Sequence, residues 1–212
     1  MDSSREDILS GIRNVIQRRH PLVQEINDIE HEIYHPLNCS LSDKFSDELL
    51  KVNGNCIFCQ DISELKLTVA ELIHNRKWST VFCIDRELLN ILENIDYRLT
   101  SDYAQFTEIE AAITPCEFLI ARTGSIMVSS ALSSGRRLNV FPPVHIVVAF
   151  ISQLVYDLSD AYREINRRYN GGLPSMISVI TGPSRTSDIE KTLILGAHGP
   201  KELIVLLINT KN

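Results

Sequence analysis

Cys56-Ile57-Phe58-Cys59, then Ile62 to Lys77, then Thr80-Val81-Phe82-Cys83-Ile84: the reading of these consecutive segments decides the fold. The first is a short apolar run, which reads as a buried strand. The second carries Leu65, Val69, Leu72 and Ile73 on one stripe of helical period. The third is apolar and β-prone. Strand, helix and strand in alternation are the signature of a parallel sheet joined by crossover helices.

Working outward, Ser42 to Val52 reads as a helix closed by Asn53-Gly54-Asn55. Upstream, Pro36-Leu37-Asn38 is a break, and Val23 to Tyr34 is a short polar helix or a loosely packed arm. Ser4 to Arg19 reads as a helix on Ile8, Ile12, Val15 and Ile16, with acids in its first turn and Pro21 as its stop. The division expected is a helical arm over 1–40 and one larger domain over 41–212.

Downstream, Glu87 to Leu92 reads as a short helix. Cys116 to Ala121 and Ser125 to Ala131 flank Arg122-Thr123-Gly124 as a hairpin. Val144 to Phe150 is a further strand. Ser152 to Arg168 reads as one amphipathic helix with Leu154, Val155, Leu158, Ala161, Tyr162 and Ile165 facing the core, ended by Asn170-Gly171-Gly172. Met176 to Thr181 and Leu203 to Ile208 are strands. The class expected is α/β, a sheet with flanking helices.

The 212 residues are 44% hydrophobic and 23% charged, ordinary globular composition that excludes general disorder. With 21 basic and 27 acidic residues the net charge is −6, so bulk attraction to nucleic acid is not expected. The amino terminus is charged without an apolar run, so no signal peptide is expected. The apolar stretch from Val140 to Ile151 is broken by Pro142, Pro143 and His145 and falls short of the ~20 residues of a bilayer span. Five cysteines, an odd number, suit a reducing compartment, and a cytoplasmic location is expected.

Four stretches could carry chemistry. Gly182-Pro183-Ser184-Arg185-Thr186-Ser187-Asp188-Ile189-Glu190 follows a β-prone run. Ser187 and Glu190 fit a capping box, so the block reads as a strand–loop–helix junction. Such a junction presents free N–H groups and a positive dipole to an anion at the end of a strand, where open α/β sheets bind ligands. Arg185 would supply a planar fork, and Ser184 and Thr186 hydroxyl donors. The plainer reading is a loop whose arginine pairs with a neighbouring acid. In Arg122-Thr123-Gly124-Ser125, Gly124 can take a positive φ or let a ligand approach the backbone, or the segment is simply a hairpin turn.

Gly196-Ala197-His198-Gly199-Pro200 makes a tight entry to the last strand. His198 could act as acid or base, with His145 as a companion. A metal would need two histidines and a carboxylate, and no short ligand spacing supports that. Cys56 and Cys59 form a lone CxxC. Zinc ribbons need a second pair and cubane clusters four thiolates, so two thiols on a strand is the plainer reading.

The stretch from about Thr107 to Asn209 closely resembles the LUD domain of the lactate-utilisation protein C family. The matching words are Thr123-Gly124-Ser125, Pro142-Pro143-Val144-His145-Ile146-Val147, the block Gly182 to Glu190, and Leu195-Gly196-Ala197-His198-Gly199-Pro200. The resemblance implies a three-layer α/β fold like that of sugar-phosphate isomerases and CoA transferases. It also implies a role beside two iron–sulfur proteins in oxidising L-lactate to pyruvate. The larger of those partners joins a LUD domain to cluster-binding cysteines; this chain has no such run, so clusters are expected in the partners and no cofactor in this chain. Where an acid often precedes Thr-Gly in the family, Arg122 stands here, so no carboxylate nucleophile is assigned at that position. Glu117 lies nearby without a local signal of activation.

The sequence-based site is therefore an anion pocket of Ser184, Arg185, Thr186, Thr123, Gly124 and Arg122, with the two arginines as a clamp. Three functions compete. The first is an accessory subunit binding a small anion and docking on iron–sulfur proteins. The second is a stand-alone isomerase or acyl/CoA transferase using His198 and Glu190. The third is a ligand-sensing module.

Overall fold

The computed structural model describes residues 3–17, 39–97, 99–186, 194–196 and 198–209. The chain divides into a unit over 1–38, containing helix α1 (Ser3–Gln17), and a unit over 39–212. The stretch from Val23 to Tyr34 and the Ser187–Glu190 capping box lie outside the described residues.

The larger unit is built on a five-stranded, all-parallel sheet ordered β1-β11-β6-β3-β2. Its strands are β1 (Asn55–Cys59), β2 (Val81–Phe82), β3 (Ala111–Pro115), β6 (Val144–Phe150) and β11 (Glu202–Ile208). A smaller sheet, β7-β4-β5-β8, comprises β4 (Phe118–Ile120), β5 (Ser125–Ser129), β7 (Leu154–Val155) and β8 (Ile177–Ile180). β4 and β8 both run antiparallel to β5.

Burial on both faces explains why β6 and β11 read as unbroken apolar runs. Ile204, Leu206 and Ile208 pack with Ile146 and Val148 under α3 (Ile62–Arg76), whose Leu65, Val69 and Ile73 supply the helical stripe. Leu203, Val205 and Leu207 face the other way. They pack with Val147, with Phe45 and Leu49 of α2 (Leu41–Lys51), and with Leu119 and Ile126 of the small sheet. The small sheet's outer face, Phe118, Ile120 and Met127, is covered by Ala161 and Ile165 of α5 (Leu158–Arg168). The architecture is thus mixed α/β, a parallel central sheet flanked by helices.

Caps set the helix starts. Ser40, Asp61 and Asp85 each accept from a first-turn amide, opening α2, α3 and α4 (Arg86–Ile91). A cap of this kind contributes about 1 kcal/mol. The helix expected over Ser152–Arg168 begins only at Leu158. Asp157 and Asp160 form a capping box there, while Leu154 and Val155 form β7 and pair with Leu119 and Ile120. Leu158 and Tyr162, expected in the core, are exposed. The apolar spacing fitted one long helix, but the cap and the pairing with β4 win.

His145 sits inside β6, wholly buried, with Nε2 2.8 Å from the Thr114 hydroxyl. Its Nδ1 has no partner among the described residues. It cannot accompany His198, which is exposed in the loop before β11. Burial holds its imidazole at about 4, below the ordinary 6.5. The folded state therefore keeps the neutral ring while the unfolded chain protonates. Stability is full above pH 6.5 and is lost as pH falls from 6.5 toward 4, at about 1.4 kcal/mol per pH unit. Urea unfolding at several pH values checks this: His145→Gln should flatten that part of the profile. An unchanged slope in the variant refutes the assignment.

Candidate functional site

Of the residues expected to bind an anion, Arg185 and Gly124 lie against the carboxyl-terminal half of α2, together with Gly182. Arg185 donates from Nη2 to the Val52 carbonyl at 2.5 Å, closing the end of that helix. Gly182, at φ +75°, sits so close that a Cβ would lie 2.2 Å from the same oxygen. Gly124, at φ +60°, lies against the backbone of Glu48 and Leu49. The close approach that glycine permits here is thus to the chain's own helix. Thr123, Ser125 and Thr181 share a run of hydroxyl contacts at 2.7 and 2.8 Å. Ser184 is tied through its backbone to Gly196 and Pro200, at 2.9 and 2.8 Å.

Arg122 reaches a different element and pairs with Asp157, the cap of α5. The two guanidiniums expected to form a clamp therefore serve separate partners. Thr186 pairs with Ile194 through the short antiparallel strands β9 (Arg185–Thr186) and β10 (Ile194–Leu195), while the helix expected to open at Ser187 lies outside the described residues. The Thr186 side chain and Glu190 lie outside what is described.

This cluster lies at the amino edge of the parallel sheet, because Val52 precedes β1 and Pro200 precedes β11. The β-prone run before the Gly182 block is β8, which belongs to the small sheet and runs antiparallel to β5. Ligand clefts of open α/β sheets form at the carboxyl ends of parallel strands.

At that opposite edge lies a cleft of about 460 Å³. Pro115 ends β3, and Val148 and Phe150 end β6; Asp85, Glu87, Ser133, Ser152, Gln153 and Arg168 supply polar side chains to its lining. Asp85, Ser133, Gln153 and Arg168 are each placed by local structure. Asp85 caps α4 through Oδ1, which accepts the Leu88 amide at 2.9 Å, while Oδ2 accepts the Ser133 hydroxyl. Gln153 accepts from the Phe150 amide at 2.8 Å and donates to the Cys116 carbonyl at 2.6 Å. Its side chain is a brace in the wall. Arg168 ends α5, three residues beyond Ile165 on the inward face, with its guanidinium 4.5 Å over the Phe118 ring.

Beneath Arg168 lies Glu117, whose side chain is 0% exposed. Its carboxylate accepts from Arg168 at 2.5 Å, Ser129 at 2.6 Å and the Tyr169 hydroxyl at 2.7 Å. The Tyr169 hydroxyl titrates higher than usual, through burial first and then its bond to Glu117. A buried charge held by three donors is a rigid foundation, and it fixes one side of the Arg168 fork.

Asp85, Ser133 and Gln153 carry no local motif in the sequence, and Glu117 has no local signal of a role there. Arg168 did carry a signal: it continues the apolar stripe of Ala161 and Ile165 with a charge.

The CxxC pair is divided by the pleat. Cys56 packs on the α2 side of the sheet and Cys59 on the α3 side, so the two thiols cannot hold one metal ion. Burial pushes Cys56 and Cys83 up to about 12, and Cys59 and Cys116 upward too, so these four are neutral thiols at physiological pH. Among the described residues no group of three or more His, Cys, Asp and Glu could hold a metal ion, and no helix is long and apolar enough to cross a membrane.

Comparison with known proteins agrees with this architecture. The chain resembles a solved DUF162 family protein from Deinococcus radiodurans in fold, with a TM-score of 0.59 at 21% identity, covering 82% of this chain and 100% of that one. An uncharacterised protein of Neisseria meningitidis serogroup B is 38% identical over 109 residues, 49% of this chain and 44% of that protein. Lactate utilization protein C of Shouchella clausii is 29% identical over 129 residues, 60% of this chain and 56% of that protein. The chain thus spans about half the length of these two relatives. Lactate utilization protein C of Macrococcus caseolyticus is 25% identical over 227 aligned positions, 98% of this chain and 97% of that protein. Residues 42–208 match the model of the LUD domain, most of the chain, and the chain belongs to the LUD domain family.

Proposed function

We propose that this chain is an accessory component of L-lactate utilisation. It binds a small carboxylic acid and works beside iron–sulfur proteins that carry the electrons. The observation that carries this reading is the alignment to lactate utilization protein C of Macrococcus caseolyticus, which runs nearly end to end in both chains. Oxidation of lactate to pyruvate releases two electrons and two protons, and an acceptor must take the electrons. The cysteines of this chain favour acceptors elsewhere: Cys56 and Cys59 face opposite sides of a sheet, and Cys83 and Cys116 are separately buried. In this reading the clusters belong to partner proteins. A cytoplasmic setting suits these neutral, unpaired thiols.

The test is a tagged pull-down from cells growing on L-lactate, with the eluate assayed for lactate-dependent dye reduction. Iron–sulfur proteins should co-elute with the activity, and deleting this chain should abolish growth on L-lactate. Purified chain that oxidises L-lactate unaided would overturn the accessory role. Normal growth on L-lactate without the chain would overturn the role in lactate utilisation.

A further inference from the structure

We propose that the cleft at the carboxyl ends of β3 and β6 is a binding site for a small 2-hydroxycarboxylic acid, with its carboxylate on Arg168 and its hydroxyl turned to Asp85. The identity of that acid as lactate rests on the function proposed above; the site itself rests on geometry.

Arg168 lines the cleft with its side chain 44% exposed, and it donates to a single Glu117 oxygen. A guanidinium has five N–H donors in a planar fork, so one bond to Glu117 leaves donors for an incoming carboxylate. The fork does not wander: Glu117 anchors one edge and the Phe118 ring supports its face. A pre-anchored arginine loses little freedom on binding, which is the condition for holding a small acid with few contacts.

The same cleft is lined by a carboxylate of opposite use. Asp85 accepts one bond at each oxygen, from the Leu88 amide and the Ser133 hydroxyl. Each carboxylate oxygen has capacity for a second donor. A ligand hydroxyl can donate there; a ketone oxygen cannot, and would meet a negative charge. The pairing of a cation with an acceptor-only group therefore selects an acid that carries a donor, and disfavours the oxo acid formed from it. The volume, about 460 Å³, is far larger than a three-carbon acid, so the acid occupies one end and the cleft stays open to a partner's reactive group.

The direct experiment is calorimetric titration of the full chain with L-lactate, pyruvate and propionate. L-lactate should bind most tightly, with propionate and pyruvate several-fold weaker. Arg168→Gln alone strands the buried Glu117 charge, so the informative variant is Glu117→Gln combined with Arg168→Gln, which removes both charges. That double variant should fold as the wild type by circular dichroism and bind L-lactate roughly 10- to 100-fold more weakly, the value of a charge-assisted bond.

L-lactate affinity unchanged in the folded double variant overturns the site, as does an absence of binding by all three acids. Binding lost in Arg185→Ala but kept in the double variant moves the acid to the amino edge and equally overturns it. Growth assays separate the two proposals. A chain needed for growth on L-lactate whose double variant binds normally keeps the lactate role and loses this site. A chain that binds through Arg168 yet is dispensable for growth keeps the site and loses the role.

Discussion

Gly124→Ala should destabilise the larger unit by about 3–5 kcal/mol, because two costs add at one atom. The first is conformational. Gly124 holds φ +60°, where an L side chain is strained by roughly 1–2 kcal/mol. The second is steric. The added Cβ would lie 2.2 Å from the Leu49 amide nitrogen, 2.5 Å from the Glu48 carbonyl carbon and 2.6 Å from the Leu49 Cα. All three are backbone atoms of α2, so no rotamer can relieve them and the helix itself must move. Phe45 and Leu49 are fully buried between that helix and the central sheet, so the displacement opens the core. Gly135→Ala is the control: Gly135 holds φ +59° with nothing within 4 Å of the new Cβ, so only the conformational cost applies. Urea unfolding of both variants reads the difference. Equal losses would mean that the turn does not press on α2.

Gly124 also marks what the sequence could and could not tell. That this position needs a positive φ or a close neighbour follows from its place between two β-prone runs. What the neighbour is does not follow, since α2 lies more than seventy residues upstream and only the fold brings it there. The same division runs through the molecule. The paired faces of β6 and β11 are written in unbroken apolar runs, and α3 in its four-residue stripe, because local period and burial coincide. The Ser152–Arg168 segment misleads because Leu154 and Val155 satisfy a helical stripe as well as a strand. Only the Asp157–Asp160 pair marks the true start. The Gly182 block was legible as a turn, but β8 before it runs in an antiparallel sheet, which moves the block away from the carboxyl edge. The cleft leaves almost no local word: Arg168, a charge on the apolar stripe of α5, is its one mark. Asp85, Ser133 and Gln153 come from three other parts of the chain, and each looks ordinary beside its own neighbours.

The buried pair beneath that cleft gives the second large effect. Arg168→Gln should cost about 3 kcal/mol, the lower end for breaking a buried ion pair. Glu117→Gln should cost less, about 1–2 kcal/mol, the range for a lost or unsatisfied hydrogen-bonding group. The inequality follows from exposure. Glu117 is 0% exposed and cannot recover water when its cation is removed, whereas Arg168 is 44% exposed and can. Ser129 and Tyr169 remain as donors to Glu117 in the first variant, which limits its loss. In the second, their hydroxyls can rotate toward the new amide oxygen. With both changes together no unpaired charge stays buried, so the double variant should recover much of the loss. A coupling of at least about 1 kcal/mol is then expected in the double-mutant cycle. Urea midpoints of the four proteins measure it. Additive losses would show that Glu117 is held by its hydroxyl donors alone. Arg168 would then keep only the Phe118 ring as support, and the pre-set fork at the carboxyl edge would lose its main physical basis.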